Sequence, residues 1–115
     1  MNDIKKKLLF LWTTENRETA LNMVLMYTHN AKLKNWWDEV NLLLWGASEN
    51  FLLKDSEAKS KIAEMINDGV NVIACRKCAE NLGVMEQLKK LDVKVFYTGE
   101  YLTDWLNSEN KMITI

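Results

Sequence analysis

The chain has 115 residues, 48% of them hydrophobic, with 15 basic and 16 acidic side chains and a net charge of −1. That size suits one domain over residues 1–115, with enough apolar content to fold without disulfide staples or a structural metal. The charge balance argues against a nucleic-acid groove or an anionic membrane surface, and two cysteines three positions apart exclude a secreted disulfide scaffold.

The chain starts MNDIKKKLLFLW, a basic stretch running into an apolar one. The apolar run 8–12 is five residues long and is interrupted by Thr13, Thr14 and Glu15, too short for a signal peptide or a membrane span. The protein therefore reads as cytoplasmic. Residues 7–12 form the first predicted strand. The loop after it, Thr13 to Asn16, contains none of the glycines that a phosphate cradle uses, so its hydroxyls are expected to cap the first helix. That helix is predicted over 18–34. Ala20, Val24, Tyr27 and Ala31 fall at helical spacing, while Leu21, Met23, Leu25 and Met26 widen the apolar face beyond one stripe. Such a helix is covered on more than one side, and a second subunit is one source of the cover. His29 reads as a helix-surface or interface residue. Trp36 and Trp37 then occupy the turn before the second strand, as core, rim or subunit contact.

Residues 40–45 form that second strand. Glu49 follows at its carboxyl end, at the edge where Cys75 also stands, and reads as a solvated strand-end charge or, less simply, as a carboxylate placed to move protons near Cys75. A helix is predicted over 56–68, capped by Asp55 or Ser56 and ended by Gly69. Its charges alternate in sign, which marks a solvated face. The third strand is 70–74 and the next helix 77–91, broken or bent at Gly83. A fourth strand over 93–97, a helix over 100–108 and a last strand over 112–115 complete the chain. The strands are rich in Val, Ile and Leu rather than cleanly alternating, as in a parallel sheet covered on both faces. The order implies an α/β fold: a single three-layer, doubly wound domain with a mostly parallel five-stranded sheet and helices on both faces, in a flavodoxin-like arrangement. The short link before the last strand suggests that this strand runs antiparallel. Ligands and reactive groups in such sheets gather at the carboxyl ends of the strands.

At one of these ends stands the most informative segment, VNVIACRKCAENLGV, residues 70–84. Cys75 directly follows a buried strand and opens a helix, where unpaired amides favour a thiolate, and Arg76 and Lys77 add positive charge beside it. A cysteine in this position also serves as a small buried hydrophobe. Cys78 makes a C-x-x-C pair, which cycles between dithiol and disulfide in thioredoxin-like proteins. The aromatic before the pair and the glycine or proline within it are missing here. One histidine besides the pair is too few for a four-ligand zinc site within one chain, which leaves only a site shared between subunits; no metal and no cofactor are expected. Trp12, Thr13, Trp45 and Gly99 also lie at strand ends and are candidates to line a pocket beside Cys75. Glu100 lies at the same edge.

The segment 70–84 resembles the strand–cysteine–helix segment of the DsrE/DsrF-like and TusD-related sulfur-relay family, with Ala79 and Gly83 in place after the cysteine. FLLKDSE, residues 51–57, resembles the stretch after the second strand of small DsrE-like proteins. Thr98-Gly99 resembles the turn after their fourth strand, and the short final strand also fits. The resemblance implies a DsrE-like fold over most of the chain and a cysteine, Cys75, that accepts persulfide sulfur and hands it on. It also implies a trimer or hexamer of identical or homologous subunits, exchanging sulfur with donor and acceptor proteins. A non-catalytic binding or assembly module and a C-x-x-C dithiol redox protein are the competing readings.

Overall fold

The computed structural model describes residues 5–115; the beginning of the basic N-terminal stretch, residues 1–4, lies outside the described residues. Five strands alternate with helices: β1 (Lys7–Trp12), β2 (Glu39–Leu44), β3 (Asn71–Cys75), β4 (Lys94–Phe96) and β5 (Lys111–Thr114). The first helix runs through α1 (Arg17–Thr19), a π-helical stretch (Ala20–Leu25) and α2 (Met26–Leu33). Then come α3 (Ala47–Lys54), α4 (Ser56–Asn67), α5 (Arg76–Leu82), α6 (Met85–Lys90) and α7 (Gly99–Leu106). Among these, no helix is long and apolar enough to cross a membrane.

The sheet order is β4-β3-β2-β1-β5, and every neighbouring pair is parallel. β5 thus corrects the expectation of an antiparallel last strand. It pairs with β1 rather than with β4, Leu8 opposite Lys111 and Leu11 opposite Thr114. The short link 107–110 is only the end of a longer crossover. α7 carries the chain across the whole sheet, and a full crossover returns it in the parallel sense.

The winding order also decides how the faces are covered. From β1 to β4 the chain steps in one direction, so right-handed crossovers leave their helices on one face. There Phe10, Trp12, Val40, Leu42, Leu44, Val72 and Ala74 pack against Val24, Leu25, Leu52, Ile62, Met65 and Leu88. Each fully buried leucine in such a core contributes roughly 1.5–3 kcal/mol. The single reversal puts α7 alone on the opposite face, where Trp105 closes over Leu9, Leu43 and Ile73. This alternation along β1 to β3 explains their nearly unbroken burial.

Local signals set the helix ends. Asp55 caps α4, its Oδ1 accepting from the Ala58 amide at 2.9 Å. The cap of the first helix is Asn16, whose Oδ1 accepts from the Thr19 amide at 2.9 Å. The threonines expected there do other work: Thr14 Oγ1 accepts from the Asn16 amide at 3.0 Å, and the Thr13 amide bonds Ile115 O at 2.7 Å. The segment predicted as a bent helix is two helices. Gly83, at φ +70° and ψ +31°, ends α5 in the left-handed conformation that costs glycine least. The first helix buries Ala20, Val24, Leu25 and Ala31, but Met23, Met26 and Leu33 stay exposed within this chain.

Candidate functional site

The site forms at the carboxyl ends of β2 and β3. β3 ends with Cys75 still extended, at φ −65° and ψ 118°, and the chain turns directly into α5 with Cys75 as its N-cap residue. Cys78 lies three residues on, so one helical turn brings its side chain back beside Cys75. Both thiols are free; Cys75 is only 4% exposed, and Cys78 is half-buried.

The other half comes from the turn after β2. Gly46 sits at φ +73° and ψ −130°, a region essentially restricted to glycine, and allows β2 to pass at once into α3. Ser48 fastens this turn, its hydroxyl donating to Trp12 O and accepting from the Trp45 amide at 3.1 Å. The next residue, Glu49, is thereby turned inward and is 0% exposed. The ligating atoms of Glu49, Cys75 and Cys78 all lie within 4.8 Å of one another.

The electrostatics are those of an unpaired buried acid. Neither Glu49 carboxyl oxygen has a hydrogen-bond partner within the protein. Burial pushes its pKa up to about 8; the approaching Cys75 amide opposes the shift without closing a full hydrogen bond. Burial first of all, then the neighbouring Cys75 sulfur and Glu49 carboxyl, push Cys78 up to about 11. The Gly46 amide opposes this shift. At neutral pH Glu49 and Cys78 therefore hold their protons. Cys78 lines a cavity of about 430 Å³ with Glu15, Gly46, Ala47, Asn50, Asn81 and Leu82.

The sequence-predicted site residues separate into two groups. Cys75 and Cys78 come together as the spacing implied. Arg76 faces the other way: its Nε lies 3.1 Å from Glu80 Oε2 and its guanidinium 5.0 Å from the Tyr97 ring centroid. Tyr97 OH donates to the same carboxylate at 2.9 Å. Lys77 is exposed. Trp12 is buried under the helices with its Nε1 donating to Thr14 O at 2.8 Å, while Trp45 packs into the core under α7. Thr13 and Gly99 are exposed, and none of these four lines the cavity at Cys78. Glu100 is exposed as well.

Glu49 is the residue that sequence reasoning undervalued. The available signal was the stretch Ala47–Lys54 read as a helix, which sets Ser48, Glu49 and Leu52 on one inward face. A carboxylate on a buried face without a basic partner is a stronger indication of a site than a carboxylate at a strand end.

The family model of the DsrE/DsrF-like family matches residues 6–115. The chain belongs to the DsrE/DsrF-like family. It is also similar to a solved structure, that of a conserved protein of unknown function from Bacteroides thetaiotaomicron. The two share 38% sequence identity and a TM-score of 0.95 over 99% of this chain and 100% of that one. No curated protein matches. The family membership covers β1 through β5 and thus the whole cysteine-bearing edge, and its general association is with sulfur relay.

Proposed function

We propose that this DsrE/DsrF-like chain carries sulfane sulfur as a persulfide on Cys75 in intracellular sulfur transfer. The observation that carries the reading is the meeting of two free thiols with a buried, unpartnered carboxyl at a strand edge. Sulfur reaches Cys75 through the cavity lined by Cys78. The Cys75 sulfur attacks the outer sulfur of a donor persulfide. A Cys75 Sγ–S bond forms as the donor S–S bond breaks, the donor leaves as a thiol, and no net electrons are exchanged. Glu49 relays the proton, giving its own to the leaving sulfur and regaining one from the Cys75 thiol. Cys78 can then attack the inner sulfur of the Cys75 persulfide, releasing hydrogen sulfide and leaving a Cys75–Cys78 disulfide. Otherwise the outer sulfur passes to an acceptor protein.

Intact mass after incubation with polysulfide tests this on reduced protein. Cys78→Ser is expected to gain sulfur and Cys75→Ser to gain none, while wild type either gains sulfur or loses about two mass units to the Cys75–Cys78 disulfide. A gain that persists in Cys75→Ser, or no gain on any chain, overturns the assignment.

The closeness of the two sulfurs also favours a second reading, a dithiol redox couple. It requires one two-electron transition in a redox titration, lost in either serine variant. For assembly, exposed Met23, Met26, Leu33 and Trp36 support a contact between copies, in keeping with the trimer or hexamer that the family resemblance implies. Light scattering on Met26→Glu checks it: dissociation of a wild-type oligomer is the expected result, and a monomeric wild type ends the proposal.

A further inference from the structure

We infer that Glu49, Cys75 and Cys78 form a binding site for a thiophilic divalent cation of the zinc type, with one coordination position open to the cavity beside Cys78. Three side chains of suitable chemistry already converge, their ligating atoms within 4.8 Å of one another. A tetrahedral zinc with sulfur at about 2.3 Å holds its ligands about 3.8 Å apart, so closure needs side-chain movements of about an ångström.

The second, independent observation is Glu49 itself. It is 0% exposed, both its oxygens lack a partner, and it is aimed at the two sulfurs. Burying a carboxyl that makes no hydrogen bond is costly, and a cation placed between it and two thiolates removes that cost. Two sulfurs and one oxygen select zinc-like ions over calcium and magnesium, which require oxygen ligands. Three protein ligands with an open fourth position are the pattern of an exchangeable or reactive site rather than of a closed structural one. Cys78 borders the cavity, whose wall also holds Glu15, Asn50 and Asn81. Among the described residues no other three ligating side chains converge in this way. His29 is paired instead with Asp68 at 2.7 Å, outside this cluster.

Occupancy has a consequence that rests on the persulfide reading, although the site itself does not. A cation bound to both sulfurs withdraws Cys75 as a nucleophile, so metal and sulfur exclude one another.

The test titrates the reduced, chelator-stripped full chain with Co²⁺, then measures Zn²⁺ affinity against a chromophoric chelator. A single equivalent of Co²⁺ with thiolate-to-cobalt charge-transfer absorption is expected, displaced by Zn²⁺. The band should fall in Cys75→Ser and in Cys78→Ser, and affinity should drop on the order of tenfold or more in Glu49→Gln. Far-UV circular dichroism identifies any variant that fails to fold, and the wild-type titration stands without the variants. Absence of the band in wild type, its persistence in both serine variants, or a Glu49→Gln affinity equal to wild type overturns the site. His29→Ala is expected to bind as wild type; loss of binding there relocates the metal and overturns the assignment. The polysulfide mass assay on metal-free and zinc-loaded protein separates the two readings. Sulfur gain without any metal binding ends this inference alone, and metal binding without sulfur gain ends the persulfide reading alone. Equal sulfur gain with and without zinc overturns the exclusion.

Discussion

Two polar clusters are buried at opposite ends of the same sheet, and their surroundings treat them in opposite ways. Toward the amino ends of the strands, on the α7 face, Asn41 is 3% exposed yet fully engaged. Its Nδ2 donates to Leu8 O at 3.2 Å and to Glu39 Oε2 at 3.0 Å, and its Oδ1 accepts from Asn71 Nδ2 at 3.1 Å. Lys94 extends the ladder to β4, at 3.4 Å from Asn71 Oδ1. Toward the carboxyl ends, Glu49 has burial without partners. A cavity of about 490 Å³ lies over the asparagine ladder, against about 430 Å³ beside the thiols, so room does not distinguish the two. Hydrogen bonding does. The satisfied cluster ties β2 to β3 in register, Asn41 opposite Asn71. The unsatisfied one leaves an unpaired buried acid beside the thiols, at a cost in stability.

Three substitutions sharpen or break this contrast. The largest pH-independent effect on stability is expected for Asn41→Ala, which removes a partner of the Leu8 carbonyl and of the Asn71 amide. A loss of about 1–3 kcal/mol should appear as a lower urea midpoint at unchanged slope. A neutral result would mean that the ladder is decoration.

Glu49→Gln is expected to change the pH dependence of stability. The folded pKa of about 8 lies above the ordinary 4.5, so the folded state holds a proton that the unfolded state has released between these values. Wild-type stability contributed by this group is complete below about pH 4.5 and is lost as pH rises to about 8, at most ~1.4 kcal/mol per pH unit. The urea-midpoint difference between variant and wild type should therefore grow across that window in the variant's favour and level off above it. Parallel curves across the window would refute the unpartnered acid. Chelator in the buffer keeps metal out of the comparison.

The smallest effect is expected for Arg76→Ala. Its partly exposed pair with Glu80 contributes little to stability, and its charge is directed to Glu80 and Tyr97. Sulfur uptake by the variant should stay within about twofold of wild type, and a large fall would restore Arg76 to the thiol's surroundings.

Much of this was legible in the sequence. The five apolar runs mark the strands, Asp55 and Gly83 mark helix ends, and the motif at residues 70–84 sets Cys75 at the end of β3, because strand period, capping and turn preference act over a few residues. Trp12 and Trp45 show where that reasoning stops. Trp12 ends β1 and Trp45 directly follows β2, yet one lies under the helices and the other under α7. Which sheet face a strand-end residue takes depends on the register and on the turn that follows.

The residues alone determined the α/β alternation, the carboxyl-end position of the two cysteines and the family to which they belong, since each is written in contiguous stretches. Only the tertiary structure decided that β5 runs parallel beside β1, that Arg76 lies over the Tyr97 ring, and that Glu49 meets Cys75 and Cys78 without a partner. Those facts join residues remote in the chain, and their cause is the packing of α3 and α5 over the ends of β2 and β3, where no local preference reaches.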